Sequence, residues 1–228
     1  MQQLYFCYHL VSNIIKLSKD FKNIVFDFGG VLLDIDYNKT YVALENLMGI
    51  GFDPNTLSPN SLKVLHDFEI GSISVETFLW NLQLISTKEM PQGLDLIKAW
   101  NAMLIGWDTE KFEFLLDLKT KYNVYLLSNT NELHLNWVYQ DLKTNHNIED
   151  FDTRFFNKTY YSHLIEKRKP NADIFEFVQN DSLLNPSETL FIDDIKENVE
   201  AAKSLGWHTY HHNPKENLID VFKGKNWI

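Results

Sequence analysis

The sequence predicts an α/β fold: a Rossmann-like parallel sheet with helices on both faces, plus a small helical cap inserted after the first strand. Three observations predict it. Short apolar runs rich in β-branched or aromatic residues recur at Asn23–Phe26, Asn123–Leu127, Lys158–Tyr161 and Thr189–Ile192, each too short for a helix. Several are apolar at nearly every position, as strands covered on both faces tend to be. Helical patterns lie between them, and strand and helix in alternation argue for a parallel sheet.

The elements follow in order. Leu4–Ile15 is apolar but carries His9, Ser12 and Asn13, with no basic residue ahead of it and no small-residue cleavage site. It reads as an N-terminal extension, residues 1–19, rather than a signal peptide. The first strand is Asn23–Phe26. From about Tyr37 to Trp107 the rhythm breaks: no convincing strand is visible, and helical periodicity dominates, as in Asn60–Phe68 and Val75–Leu84. Residues 37–107 are therefore assigned to the cap, and residues 20–36 with 108–228 to the core. Thr109–Lys121 places Phe112, Leu115, Leu116 and Leu118 at helical spacing, with Asp108 or Thr109 positioned to cap it. Ala172–Gln179 follows a Pro-Asn start, and Lys196–Leu205 stops at Gly206. Trp207–Tyr210 reads as a further strand.

Composition narrows the function. The 228 residues, 44% of them hydrophobic, suffice for a full core. The net charge of -10 argues against nucleic acid and anionic lipid as partners. It would repel a phosphorylated ligand as well, unless the site supplies local positive charge. Cys7 is the single cysteine, which excludes an intramolecular disulfide and any zinc site of several cysteines. It fits a reducing compartment, so a cytoplasmic location is expected. No apolar run approaches the roughly 18 to 20 residues that span a bilayer. Monomer and dimer are not distinguished.

In open α/β sheets, ligands bind beyond the carboxyl ends of the strands. Here the apolar runs lead into Asp27-Phe28-Gly29-Gly30, Ser128-Asn129-Thr130-Asn131, Lys167-Arg168-Lys169-Pro170 and Asp193-Asp194. Each has a plain reading by itself: a turn, a loop or helix cap, a solvated basic patch, a helix N-cap. Parallel strands would bring all four to one edge, assembling three carboxylates, a hydroxyl and one or more cations. Three carboxylates do not crowd together ionised without a cation between them, and a hard ion such as Mg²⁺ takes oxygen ligands. A carboxylate also serves as a nucleophile toward phosphorus, with hydroxyl and lysine holding the remaining phosphate oxygens.

The segments "FDFGGVLLDID", "LLSNTN", "KRKP" and "FIDDIKENVEAAKSLG" resemble, in order, the four motifs of the haloacid-dehalogenase-like superfamily. The resemblance covers about residues 23 to 223. "FEIGSISVETF" resembles the helical cap of the subfamily whose cap follows the first motif, and "SNTNELH" with the "DxGGV" form is most similar to the branch of sugar-1-phosphate phosphatases. The resemblance implies a Mg²⁺-dependent phosphatase acting on a small phosphorylated metabolite, a sugar phosphate, through an aspartyl-phosphate. By the same resemblance Asp27 is the nucleophile, with Phe28 and Gly29 in the phosphate-binding loop and the Gly29 carbonyl a metal ligand. Ser128 and Asn129 contact the phosphoryl group, and Lys169 bridges it to the nucleophile. Asp194 and Asp193 complete the metal site, and Asn198 supports it.

One departure matters. Most phosphatases of this family carry a second Asp two residues after the nucleophile, as proton donor to the leaving group; here Gly29 stands there. Three readings stay open. The substrate has a good leaving group, or another residue such as His134 or a cap residue supplies the proton, or the chain is a weak or silent relative that binds phosphorylated ligands. A haloacid dehalogenase also lacks the second Asp, but Asp193-Asp194 argues against it, since displacing halide needs no magnesium. Trp80, Trp100 and Trp107 are candidates for the cap face, although aromatic residues at helical spacing are mostly core.

Overall fold

The register of the main sheet sets where each candidate site residue stands. A computed structural model describes residues 21–53 and 55–228; the extension assigned to residues 1–19 lies outside them. The strands are β1 (Asn23–Phe26), β2 (Leu33–Ile35), β3 (Leu104–Trp107), β4 (Asn123–Ser128), β5 (Lys158–Tyr161), β6 (Thr189–Asp193) and β7 (His208–His211). Five form a parallel sheet in the order β5-β4-β1-β6-β7. Phe26 sits between Leu126 and Ile192, so Asp27, Ser128 and Asp193 emerge side by side.

Alternation along the strands explains their near-continuous apolarity. Ile24, Phe26, Val124, Leu126, Leu190 and Ile192 face a core filled by Phe114, Leu118, Val138, Leu142 and Phe222. Val25, Tyr125, Leu127, Tyr160 and Phe191 face the opposite side, against Ile174, Phe175, Val178 and Ala202. The covering helices are Glu110–Lys119, Glu132–His146 and Leu218–Lys225 on the first face, and Ala172–Asp181 and Lys196–Ser204 on the second.

The helical segment between the first strand and the second βα unit comprises Tyr37–Met48, Pro59–Glu69, Val75–Ile85 and Gly93–Trp100. It has its own core of Leu44, Met48, Phe68, Phe78, Leu82 and Leu96, with Leu133 of the main body joining it. Phe68 stacks on Phe78 with ring centroids 4.0 Å apart.

Three differences from the sequence reading emerge. The stretch 37–107 is not free of strand: Leu104–Trp107 pairs antiparallel with Leu33–Ile35 and brackets the helices. Its partner lies some seventy residues away in sequence, so no local hairpin signal marks it, and the pairing shifts register just past Asp34, opposite Gly106 at φ 139. The sequence reading leaves residues 132–146 unassigned; Glu132–His146 is a helix of 15 residues, capped by the Asn131 side chain accepting from the His134 amide. The last strand begins at His208, because Trp207 leaves the sheet edge to pack beneath it against Phe175 and Phe191.

Candidate active site

Asp27 leaves β1 with its amide donating to the Ile192 carbonyl at 2.8 Å. The chain then turns back on itself: the amides of Leu32 and Leu33 donate to the Phe28 carbonyl, and the Gly30 amide donates to the Leu33 carbonyl. The Phe28 ring is buried against Trp107 and Phe151, so only its backbone is available to a ligand. Gly30 has φ +77, and a Cβ there would lie 2.4 Å from Asp194 Oδ2. The left-handed turn and the absent side chain together let the Asp194 carboxylate fold over the loop.

Lys169 joins the two halves of the site. Its ammonium is 1% exposed and donates to Asp27 Oδ1 at 2.5 Å, to Asp193 Oδ2 at 2.7 Å and to the Leu127 carbonyl at 2.9 Å. Its backbone is held by the Asn129 side chain, which accepts from the Lys169 amide and donates to the Lys169 carbonyl, both at 2.9 Å. Asn198 donates to both oxygens of Asp193 at 3.1 Å, and the Ile195 amide donates to Oδ1 at 2.8 Å. Asp193 is thus committed to Lys169 and its own helix, while Asp194 is held from behind by His211, whose Nε2 donates to the Asp194 carbonyl at 2.9 Å. Ser128 is buried at the end of β4 and lines a small cavity with Gly29, Asn129 and Thr130.

One oxygen from each of Asp27, Asp193 and Asp194 lies within 4.8 Å of the others. Burial is the largest influence on Asp27 and lifts its carboxyl to about 7; Lys169 opposes it, and the neighbouring Asp193 and Asp194 add to it. Burial, then Asp193, lifts Asp194 to about 6. Burial pulls the Lys169 ammonium down, but Asp193 and Asp27 outweigh it and its pKa ends raised. One buried cation therefore leaves the three acids short of positive charge. The converging oxygens, with the donor set free of nitrogen and sulfur, fit a hard divalent cation such as Mg²⁺.

The basic run separates on inspection. Lys169 is interior; Arg168 pairs with Glu69 of the helical segment, Nη2 to Oε2 at 3.3 Å; Lys167 makes an outer pair with Asp173. Sequence reasoning missed Glu69, whose partner lies 99 residues away.

His134 does not suit the role of proton donor. Asn131 Oδ1 accepts from both the His134 amide and Trp100 Nε1, so the Asn131 amide group donates to His134 Nδ1 at 3.1 Å. Nε2–H then donates to the Trp100 carbonyl at 3.3 Å. Both ring nitrogens are engaged, burial holds the imidazole neutral by lowering it to about 4, and the ring stacks on Trp100. The result is a brace between the helical segment and the main body. Of the three tryptophans, Trp100 lines the cavity above the site, Trp107 packs against the main core and donates to the part-buried Asp141, and Trp80 is exposed.

The sequence pattern of the haloacid dehalogenase-like hydrolases matches residues 21–206. The chain is 33% identical over 189 residues to D-ribitol-5-phosphate phosphatase of Bacteroides thetaiotaomicron, covering 83% of this chain and 90% of that one. It is similar to a solved haloacid-dehalogenase-family enzyme from the same organism, in complex with magnesium and inorganic phosphate. There the TM-score is 0.77 at 31% identity, over 89% of this chain and 99% of the other. A family hydrolase from Porphyromonas gingivalis superposes with a TM-score of 0.80 at 33% identity, over 90% of this chain and 97% of the other.

Proposed function

The chain belongs to the haloacid dehalogenase-like hydrolase family, and on that premise we propose that it is a Mg²⁺-dependent phosphatase acting on a small sugar or sugar-alcohol phosphate, with Asp27 as nucleophile. The observation that carries the reading is the buried Asp27 carboxylate, bonded to Lys169 and sharing an oxygen cluster with Asp193 and Asp194. The substrate class rests on the relative named for D-ribitol 5-phosphate, the cation on the magnesium-bound relative.

Asp27, Asp194 and the Gly29 carbonyl would hold the cation, with the Asp193 oxygen converging beside them. When bound, Mg²⁺ neutralises the acids and orients a phosphate oxygen. The ionised Asp27 oxygen attacks phosphorus; the new O–P bond forms as the bond to the sugar oxygen breaks, giving an aspartyl-phosphate and an alkoxide. Water then attacks the same phosphorus, and the Asp27 carboxylate departs as phosphate forms. Ser128 donates to a non-bridging oxygen, and Lys169 offsets the charge that both steps spread over the phosphoryl group. Residues 37–107 act as the cap that encloses the leaving group.

Gly29 supplies no proton to the departing alkoxide, and His134 is committed elsewhere. Solvent protonates the leaving oxygen, so the chemistry favours acidic leaving groups. A silent ligand-binding protein would not need the Lys169–Asp27 pairing, and a dehalogenase would not need Asp194. Phosphate release from p-nitrophenyl phosphate, with and without Mg²⁺, tests the reading: Mg²⁺-dependent turnover is expected, and its absence sinks it.

A further inference from the structure

A cavity of about 260 Å³ opens from Asn129, Thr130 and Asn131 toward the helical segment. Its size lies just below the ~300–1,000 Å³ of ordinary metabolite pockets, which suits a small leaving group. Glu69 and Arg168 both line it. The guanidinium meets the carboxylate through two nitrogens, Nη2 to Oε2 and Nε to Oε1, each at 3.3 Å.

Both partners are anchored. Arg168 precedes Lys169, whose backbone Asn129 clasps. Glu69 ends the helix Pro59–Glu69, and its carbonyl accepts from the buried Ser162 hydroxyl at 2.6 Å. Two residues on, Gly71 at φ +73 packs so closely that a Cβ would lie 2.2 Å from the His163 carbonyl oxygen. The backbone that carries each partner is therefore held in place, and the two part-exposed side chains meet at the cavity wall.

We infer that the Glu69–Arg168 pair selects a neutral, polyhydroxylated leaving group and rejects one carrying a carboxylate or a second phosphate. The reasoning rests on the phosphatase reading and adds the chemistry of the leaving group. A guanidinium has five N–H donors and a carboxylate has about four acceptor positions, so the pair retains both kinds after binding itself. Hydroxyls donate and accept, and match that mixed surface. An anionic group meets a guanidinium already neutralised and a carboxylate beside it, and like charges held together are strongly unfavourable.

The test compares kcat/KM for ribitol 5-phosphate and ribonate 5-phosphate, which differ in a terminal hydroxymethyl against a carboxylate. Wild type, Glu69→Gln and Arg168→Gln are measured, with p-nitrophenyl phosphate as a separate probe of phosphoryl chemistry in wild type. Wild type is expected to prefer the neutral chain by on the order of 100-fold. Glu69→Gln frees the guanidinium and narrows that ratio by tenfold or more, roughly the size of one charge contact. Arg168→Gln widens it. A purely structural defect lowers both substrates together and leaves the ratio in place. The inference is overturned by a ratio near one in wild type, by the same ratio in wild type and either folded variant, or by turnover of neither sugar ester while p-nitrophenyl phosphate is hydrolysed. Failure on p-nitrophenyl phosphate with Mg²⁺ overturns the phosphatase reading instead.

Discussion

The Asp194 carboxylate lies over the α-carbon of Gly30, in the space a side chain would take: a Cβ there would be 2.4 Å from Oδ2 and 2.7 Å from the carboxyl carbon. Two distant segments thus meet at a position where only glycine serves, and the contact places the Asp194 carboxylate against the loop that follows Asp27.

Gly30→Ala is therefore expected to weaken Mg²⁺ binding by at least about tenfold. It forces a left-handed Ala, costing roughly 1–2 kcal/mol, and pushes Asp194 off its seat. Calorimetry would measure this, with Gly51→Ala as control, since that glycine has no atom within 4 Å of its would-be Cβ. Equal affinity in the Gly30 variant and the control would contradict the role given to the contact.

Gly29 behaves differently. Its backbone is not left-handed, and an added Cβ meets chiefly Ile35 Cδ1, at 2.9 Å. Ile35→Val removes that atom. Gly29→Asp with Ile35→Val is expected to raise turnover of alkyl phosphates relative to p-nitrophenyl phosphate by about 10²-fold, the lower end of general-acid help. Gly29→Asp alone gains less. Wild type should show a steep dependence on leaving-group acidity across aryl and alkyl phosphates; a flat one means that another residue already donates the proton.

The acids also set a pH dependence. Asp27 and Asp194 are raised to about 7 and about 6 in the metal-free protein, against about 3.9 for an unfolded aspartate. Between those limits the folded chain binds more protons than the unfolded one, so their contribution to stability is greatest in acid and is lost as pH rises toward about 7. Mg²⁺ displaces the same protons, so its stabilising effect grows over that window. The rise in Tm on adding saturating Mg²⁺ is expected to be larger near pH ~7.5 than near pH ~5. A shift independent of pH, or larger in acid, would contradict the shared-cation site.

Much of this was legible because each key residue ends an apolar run. Ser128 and Asp193 close strands β4 and β6, Asp27 follows the last residue of β1, and parallel strands bring such ends to one edge. What stayed hidden depends on partners far away in sequence. In the "KRKP" run only Lys169 could be given a place, through its resemblance to a family motif; that Arg168 pairs with Glu69 and Lys167 with Asp173 appears only in the fold. The Asn129 side chain reads as a loop residue, yet it clasps the Lys169 backbone 40 positions on. His134 reads as a free imidazole near the site, and only the bonds to Asn131 and Trp100 show that neither nitrogen is available.

The central claim is a covalent phosphoryl group on Asp27, and one measurement reaches it directly. The protein is mixed with p-nitrophenyl phosphate and Mg²⁺, quenched during turnover and reduced with borohydride, which converts an acyl phosphate to the alcohol; peptide mass spectrometry then locates the reduced residue. The expected result is homoserine at position 27, present only when substrate and Mg²⁺ are both supplied and absent in Asp27→Asn. Reduction at another aspartate, or substantial turnover by the folded Asp27→Asn protein, would contradict the account.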